Sequence, residues 1–494
     1  MCGFVGIISS KQVAGDILLA LQSIQHRGQD SAGVATISKG SFPLLKRLGL
    51  VSNGFGPEQI SQLPGNIGIG HVRYPTMGTG VLCDAQPFFY RQPGVIMAHN
   101  GNILNVARIS QELSEDSVHL MSTCDIEPVL SLFAVNLMRL RRKEHTLDDA
   151  LEALRQTFAK TRGAYSIVTA LVLDGKETLL AIRDPHGIRP AVWGTFNGST
   201  IVASESVALD VLGAKIQGDV KPGEVLVMRR GREPQSYKLW DAKPSPCIFE
   251  YIYFARPDST MNSDSVYSVR LSLGQQLAKA WKAKGLDADT VIPIPDTSRP
   301  AAAAMAETLG LPYREGFIKN RYTGRTFIMS SHNERTSALK LKLNAIRSEF
   351  AGKKVLLVDD SIVRGTTLTH TIQLIRDQGA VQVHLAIYSP PVMHPCYYGI
   401  DMSTIEELAA PRFLPDHTSG PLDKKQLHLL EDRFSKKLGL DSLTYLPIED
   451  LRHAYPKGHC AACFDGSYPL KLTDQERKWI EMDRHFSHQA ELNF

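Results

Sequence analysis

At 494 residues, with 43% hydrophobic and 21% charged residues, the chain is too long for one core and ordinary in composition for a globular protein of roughly two to four domains. A formal net charge of +4 gives no electrostatic reason to expect a nucleic acid partner. No apolar run approaches the roughly 18–20 residues of a membrane span, and the start lacks the basic n-region of a signal peptide, so no membrane partner and a cytoplasmic location are expected.

The opening "MCGFVGIISS" predicts a strand, and Gly3 stands one place too late for a myristoylation signal. "VAGDILLALQSIQHRG" (13–28), closed by Gly28, and "CDIEPVLSLFAVNLMRLRRK" (124–143) have helical spacing of apolar residues. The rest of the first half is dense in short β-patterned runs. "TLLAIRDPHGIRPAVWG" (178–194) reads as strand, turn, strand, and "DVKPGEVLVM" (219–228) as another turn and strand. Strands in two groups with helices around them predict a layered α+β domain over 1–235. The polar, Pro-rich stretch 230–246 reads as a linker. Strands then alternate with helices, and "KKVLLVDDSIVRGTTLTHTIQLIRDQGAVQVHLAIYSPP" is a βαβ unit, which predicts a parallel-sheet α/β domain over 236–494.

Within that unit, "VLLVDDSIVRGTTLTH" (355–370) is a buried strand ending at two carboxylates, then a short loop that opens a helix. Backbone N–H groups and hydroxyls at Arg364, Gly365, Thr366 and Thr367 suit a 5′-phosphate. Asp359 and Asp360, at the carboxyl end of the strand, can hold ribose hydroxyls and a hydrated Mg²⁺. The G-x-x-x-x-G-K-[ST] pattern of a P-loop is missing. "VIPIPDTS" (291–298) can present Thr297 to the same metal. Between 319 and 347 stand seven Lys or Arg against Glu334 alone. Beside a phosphate loop this run reads as a cationic lid over a pyrophosphate leaving group, with Lys319, Arg325 and Lys342 as binding residues. "VLLVDDSIVRGTT" resembles the signature of type I phosphoribosyltransferases.

Removal of Met1 would give Cys2 a free α-amine with a pKa of roughly 8, able to serve as base for its own thiol. A lone Cys2 would read as a buried strand thiol. "CGFVGI" is followed in order, however, by "QHRGQDSAG" (25–33), "GIGHVRYPT" (68–76), "AHNGNI" (98–103) and "STCDIE" (122–127). Together these resemble the glutaminase domain of class II amidotransferases, an N-terminal-nucleophile fold of four αββα layers. The resemblance implies that Arg73 and Asp125 grip the glutamine α-carboxylate and α-amine. It also implies that Asn100 and the Gly101 N–H form the oxyanion hole and that Arg27 orders the site.

A glutaminase ahead of a phosphoribosyltransferase, with "FEYIYFARPDS" (249–259), resembles the amidophosphoribosyltransferases over nearly the whole chain. This implies glutamine and phosphoribosyl pyrophosphate as substrates, release of 5-phosphoribosylamine for purine synthesis, a homotetramer, and purine nucleotides as feedback inhibitors. The sequence departs from the family pattern at Cys124 and Ile126, in "DPHGIRPAVWG", and in the lid, where "SSHNERTSALKLKLN" replaces the usual continuation with Pro and Gln.

Seven widely scattered cysteines, an odd number, argue against a disulfide framework. With Cys2, Cys83 and Cys124 set aside, Cys247, Cys396, Cys460 and Cys463 form a set spaced 149, 64 and 3 residues apart. Four thiolates suit either Zn²⁺ or a [4Fe–4S] cluster. The resemblance implies the cluster, which one branch of the family carries on cysteines in these contexts, including "C-x-x-C-F-x-G-x-Y-P". Its role there would be structural.

Overall fold

The computed structural model of the chain describes residues 1–74, 81–140, 142–320, 343–402, 404–417, 420–478 and 480, with the side chains of Thr366 and Thr367 excepted. The expected lid residues Arg325 and Lys342, and the divergent stretch 329–341, lie outside the described residues.

Two antiparallel sheets build the first half. Gly3–Ile8 lies inside a seven-stranded sheet, between Ile67–Arg73 and Ser199–Ala203. A six-stranded sheet contains Val95–Ile103, Gly163–Leu173, Lys176–Arg183 and Glu224–Arg229. The period of two along each strand divides the side chains between layers. Phe4 and Ile8 point into a core shared with Ile96, Ala98, Val168 and Leu179 of the second sheet. Val5 and Ile7 point the other way, onto Ile17, Leu18 and Leu21 of helix Ala14–Ser23. On the outer face of the second sheet, Val95 and Met97 pack on helices Val106–Glu115, Ile126–Arg139 and Leu147–Lys160. The result is the expected αββα stack.

Three segments differ locally from the sequence reading. The helix expected over 13–28 stops at Ser23 and tightens into a 3₁₀ turn, Gln25–Arg27, which swings Arg27 inward. Gly28 follows because the chain passes so close to Arg73 that a Cβ would lie 2.4 Å from its carbonyl carbon. The strands flanking 184–191 do not form a hairpin. Lys176–Arg183 belongs to the second sheet and Val192–Phe196 to the first, so this turn carries the chain between layers. Its buried Asp184 carboxylate accepts hydrogen bonds from the backbone N–H of His186 (2.8 Å) and Ile188 (3.2 Å). Inside the expected linker, Gln235–Lys238 forms an edge strand on Glu224–Arg229.

The second half carries a parallel sheet in the order Thr290–Pro293, Lys354–Asp359, Gln382–Ile387, Ser442–Tyr445. Its strands are apolar on both faces, as a sheet covered by helices on each side requires. Leu356, Val358 and Ala386 face helices Val266–Lys282 and Arg299–Leu309. Val355, Leu357 and Leu385 face Thr366–Asp377 and Lys424–Leu438. The first of these cores continues into the other half through Leu104, Ala164 and Ile188, and it takes in Cys460–Phe464 near the chain end. No helix among the described residues is long and apolar enough to cross a membrane.

Candidate active sites and a four-cysteine cavity

Cys2 opens the strand Gly3–Ile8, buried, with its Sγ 3.5 Å from the Tyr74 carbonyl oxygen. Arg27 is fully buried beneath it. Its Nε donates to the Cys2 carbonyl (2.9 Å), Nη1 to Glu205, and Nη2 to Glu250 (2.8 and 3.1 Å). Burial opposes the charge on both partners, yet the two glutamates raise the Arg27 pKa, and His26 (2.8 Å) with Arg27 holds Glu205 far below the usual carboxylate range. A buried ion network of this kind fixes geometry, because removing one member strands the others. Arg27 therefore ties the Cys2 backbone to Glu250 in the second half.

Around Cys2 the second sheet contributes Asn100 and Gly101 from Val95–Ile103. Asn100 is wholly buried, and neither Oδ1 nor Nδ2 has a hydrogen-bond partner among the described residues. An unpaired amide in a protein interior is unfavourable, so this one is placed for something that arrives. Gly101 admits no side chain, since a Cβ would lie 2.0 Å from the Ala164 oxygen. Asp125, at the start of helix Ile126–Arg139, accepts from Ile103 N–H (3.0 Å) and faces His99 Nε2 (3.2 Å). Burial alone would raise its pKa, but His99, the Ile103 N–H and Arg73 hold it below the usual carboxylate range. Arg73 ends the strand Ile67–Arg73, 3.8 Å from Asp84. Against its burial, Cys124, Cys2, Asp84 and Asp125 keep its pKa up. A buried cation and a buried anion thus lie near the thiol. Burial pushes the neighbouring Cys124 thiol up to about 12, which leaves it protonated and a poor nucleophile.

In the second half, the strand Lys354–Asp359 delivers Asp359 and Asp360 to the end of the parallel sheet. Thr297 Oγ1 (2.5 Å) and Ser361 Oγ (2.6 Å) donate to Asp360. Burial raises both carboxyl pKa values, and the two acids repel each other. Arg270 offsets part of this at Asp360, and two adjacent carboxylates at the end of the strand could hold a divalent cation. Gly365, with φ +78°, turns the chain into helix Thr366–Asp377 and so forms the phosphate-type loop at a helix N-terminus. Lys319 Nζ lies 3.2 Å from Asp296, beside Thr297.

One segment, 396–402, touches both sites. The Tyr397 carbonyl accepts from Asn102 Nδ2 (2.9 Å), next to the oxyanion glycine. A Cβ on Gly399 would lie 3.0 Å from the Gly101 oxygen. Asp401 accepts from Tyr74 Oη (2.9 Å) and lies 3.5 Å from Arg364 of the phosphate loop.

The same segment begins at Cys396. Together with Cys247, Cys460 and Cys463 it lines one cavity of about 300 Å³, counting all space between atoms. A parallel bridge pairs Cys247 with Cys460, and Cys463 is anchored where its carbonyl accepts from Met393 and His394 N–H (2.9 and 3.0 Å). Burial pushes the Cys247 thiol up to about 11 and raises Cys460 and Cys463 as well. Among the described residues no three His, Cys, Asp or Glu side chains converge on one point as ligands of a single ion would.

Comparison with known proteins follows this division. A glutamine amidotransferase domain model matches residues 76–211, and a phosphoribosyl transferase domain model matches 273–389. The amidophosphoribosyltransferase of Methanothermobacter thermautotrophicus is 42% identical over 479 residues, which is 95% of each chain. The chain belongs to the amidophosphoribosyltransferase family. The Escherichia coli amidophosphoribosyltransferase is also 42% identical, over 96% of this chain and 94% of its own. The solved glutamine phosphoribosylpyrophosphate amidotransferase of B. subtilis, complexed with ADP and GMP, superposes with a TM-score of 0.82 at 34% identity, covering 96% of this chain and 98% of that one.

The residues singled out from the sequence gather in three places: Cys2, Arg27, Arg73, Asn100, Gly101 and Asp125; Thr297, Lys319, Asp359, Asp360, Arg364 and Gly365; and the four cysteines. The sequence reading did not single out Tyr74, Glu205, Glu250 or Asp401. Glu250 stands inside "FEYIYFARPDS" and Asp401 ends "CYYGID", but neither stretch carries a signal of its partner.

Proposed function

We propose that the chain transfers the amide nitrogen of glutamine to C1 of phosphoribosyl pyrophosphate, giving 5-phosphoribosylamine, glutamate and pyrophosphate, the committed step of purine synthesis. The observation that carries this reading is segment 396–402, which contacts the surroundings of Cys2 at Asn102, Gly101 and Tyr74 and those of the phosphate loop at Arg364. Two unrelated activities would have no use for that link.

The Cys2 thiol attacks the glutamine amide carbon, with its proton passing to the α-amine freed by loss of Met1. Arg73 and Asp125 hold the amino-acid end. Asn100 Nδ2 and the Gly101 N–H receive the oxyanion, which supplies the partner that Asn100 lacks. Ammonia leaves, the thioester is hydrolysed, and ammonia adds to C1 as pyrophosphate departs. Arg364 to Thr367 hold the 5′-phosphate, and Lys319, Arg325 and Lys342 face the pyrophosphate. Asp359, Asp360 and Thr297 would hold Mg²⁺, whose contribution is to neutralise the leaving group. The glutaminase domain spans 1–235 and the transferase domain 236–494.

Cys247, Cys396, Cys460 and Cys463 hold a [4Fe–4S] cluster that fastens the chain end to the transferase domain. That all four line one cavity supports this reading. The assembly is a cytoplasmic homotetramer with purine nucleotides as inhibitors; the B. subtilis relative carrying ADP and GMP supports the last point.

The test is glutamine-dependent pyrophosphate release from phosphoribosyl pyrophosphate with Mg²⁺. Cys2→Ala should lose it while keeping release driven by added ammonium. No release with either nitrogen donor would overturn the reading. Anaerobically purified protein should contain about four irons and four acid-labile sulfides per chain; stoichiometric zinc without sulfide would refute the cluster.

A further inference from the structure

The four-cysteine cavity has a charged wall. Arg189, which follows the turn crossing between the two sheets, is fully buried and lines the space beside Cys247 and Cys396. Its Nη1 contacts Met1 Sδ and lies 3.4 Å from Glu250 Oε1. Glu250 is already engaged by Arg27 at 2.8 and 3.1 Å. Nε and Nη2 of Arg189, both buried, have no hydrogen-bond partner among the described residues. A buried guanidinium with open N–H groups is strongly unfavourable unless an anion meets it.

The other polar groups around the cavity are spoken for. Tyr398 Oη donates to the Leu470 carbonyl (2.7 Å) and Tyr468 Oη to the Pro395 carbonyl (2.6 Å). The side chains of Phe249, Ile400, Met402 and Ala462 carry no N–H or O–H. Arg189 is thus the one charged side chain among the described residues that line the cavity.

We infer that Arg189 is the charge partner of the centre held by the four cysteines: its free N–H groups donate to the centre's sulfurs, and its charge favours the reduced state. The inference rests on the cluster reading above. Four thiolates around a [4Fe–4S]²⁺ core carry a net charge of −2. One electron from added reductant takes this to −3, and a fixed cation in a low-dielectric wall stabilises the second state more than the first.

Iron and acid-labile sulfide are measured first on anaerobically isolated wild-type protein; a protein without sulfide overturns both readings together. With the cluster present, wild type and Arg189→Met are compared by EPR-monitored redox titration. At the potential that half-reduces the wild-type cluster, the variant should be reduced to about a tenth or less. That is a roughly tenfold shift, or about 59 mV for a one-electron couple. Arg189→Lys, which keeps the charge without the planar fork, should fall between the two. A reduced fraction in Arg189→Met within about twofold of wild type overturns the role of Arg189 and leaves the cluster standing. Where Arg189→Met fails to fold or to load, reduced wild-type protein labelled with ¹⁵N-arginine carries the test. Pulsed EPR should then detect a nitrogen coupled to the cluster, and its absence overturns the inference.

Discussion

Replacing Asn100 with alanine separates catalysis from stability in a way few buried substitutions do. A buried Asn ordinarily holds hydrogen bonds, and its removal leaves their partners stranded. Asn100 has none to lose, because both amide atoms are buried and unpartnered. Each unpaired group costs about 1–3 kcal/mol in the folded state, a penalty that alanine removes. Against that, a new cavity of a few tens of Å³ costs about 1 kcal/mol at roughly 24 cal/mol per Å³. With both amide atoms unpaired among the described residues, the relief of about 2–6 kcal/mol exceeds the cavity cost, so the thermal midpoint of Asn100→Ala should not fall. The chemistry should respond quite differently. Loss of one oxyanion donor typically lowers kcat by about 10²–10³, equivalent to roughly 2.7–4 kcal/mol. Glutamate release from glutamine should therefore fall at least about 100-fold. Pyrophosphate release driven by ammonium, which bypasses Cys2, should persist. A loss of glutaminase rate below about tenfold, or a matching loss of the ammonium-driven reaction, would refute the assignment.

Asp360→Ala should suppress pyrophosphate release with both nitrogen donors, because it removes the acceptor of Thr297 and half of the acidic pair; loss of the glutamine-driven reaction alone would place Asp360 elsewhere. Gly399→Ala puts a Cβ 3.0 Å from the Gly101 oxygen at a φ of +100°, a strain of about 1–2 kcal/mol. Glutamine-driven synthesis should drop roughly tenfold more than ammonium-driven synthesis as the oxyanion glycine is displaced, and equal losses would count against that route. The pKa of Glu205 is depressed by its pairing, so its contribution to stability is present above its unfolded value of 4.5 and is lost as pH falls below it. Denaturant titrations from pH 7 down to about pH 3 should show a steeper acid loss for wild type than for Glu205→Gln; parallel curves would remove Glu205 as the cause.

Much of the architecture was legible because it rests on local rules. The alternation in "CGFVGI" divides Phe4 from Val5 between two layers, and the βαβ unit after residue 353 carries its own direction. The groups proposed for catalysis and metal binding could be picked out where short motifs hold them, as with Asn100-Gly101 and Asp359-Asp360. Partnerships across the chain were not. Tyr74 meets Asp401 across 327 residues, and Arg27 meets Glu250 across 223. A lone Tyr or Glu has no periodicity to betray such a contact. The strand Gln235–Lys238 escaped notice for a related reason: its four residues are too few for an alternation to register beside Pro234.

The walls of the four-cysteine cavity also arrive at different times. Cys247 and Cys463 are 216 residues apart (463 − 247). At about 5–20 residues per second on the ribosome, roughly 10–40 s pass between the first wall and the last. Cys396 follows Cys247 by 149 residues, and for the next 64 residues, roughly 3–13 s, the two stand without Cys460 and the space they border stays open. The cavity can close only when the end segment has been made and has folded back, and a chain cut short before residue 460 would never close it. Because segment 396–402 runs from this cavity to Gly101 and Asp401, a truncated chain would also lack the anchored loop that braces the glutaminase site. The cavity thus marks completeness: its last walls exist only in a chain made as far as Cys463.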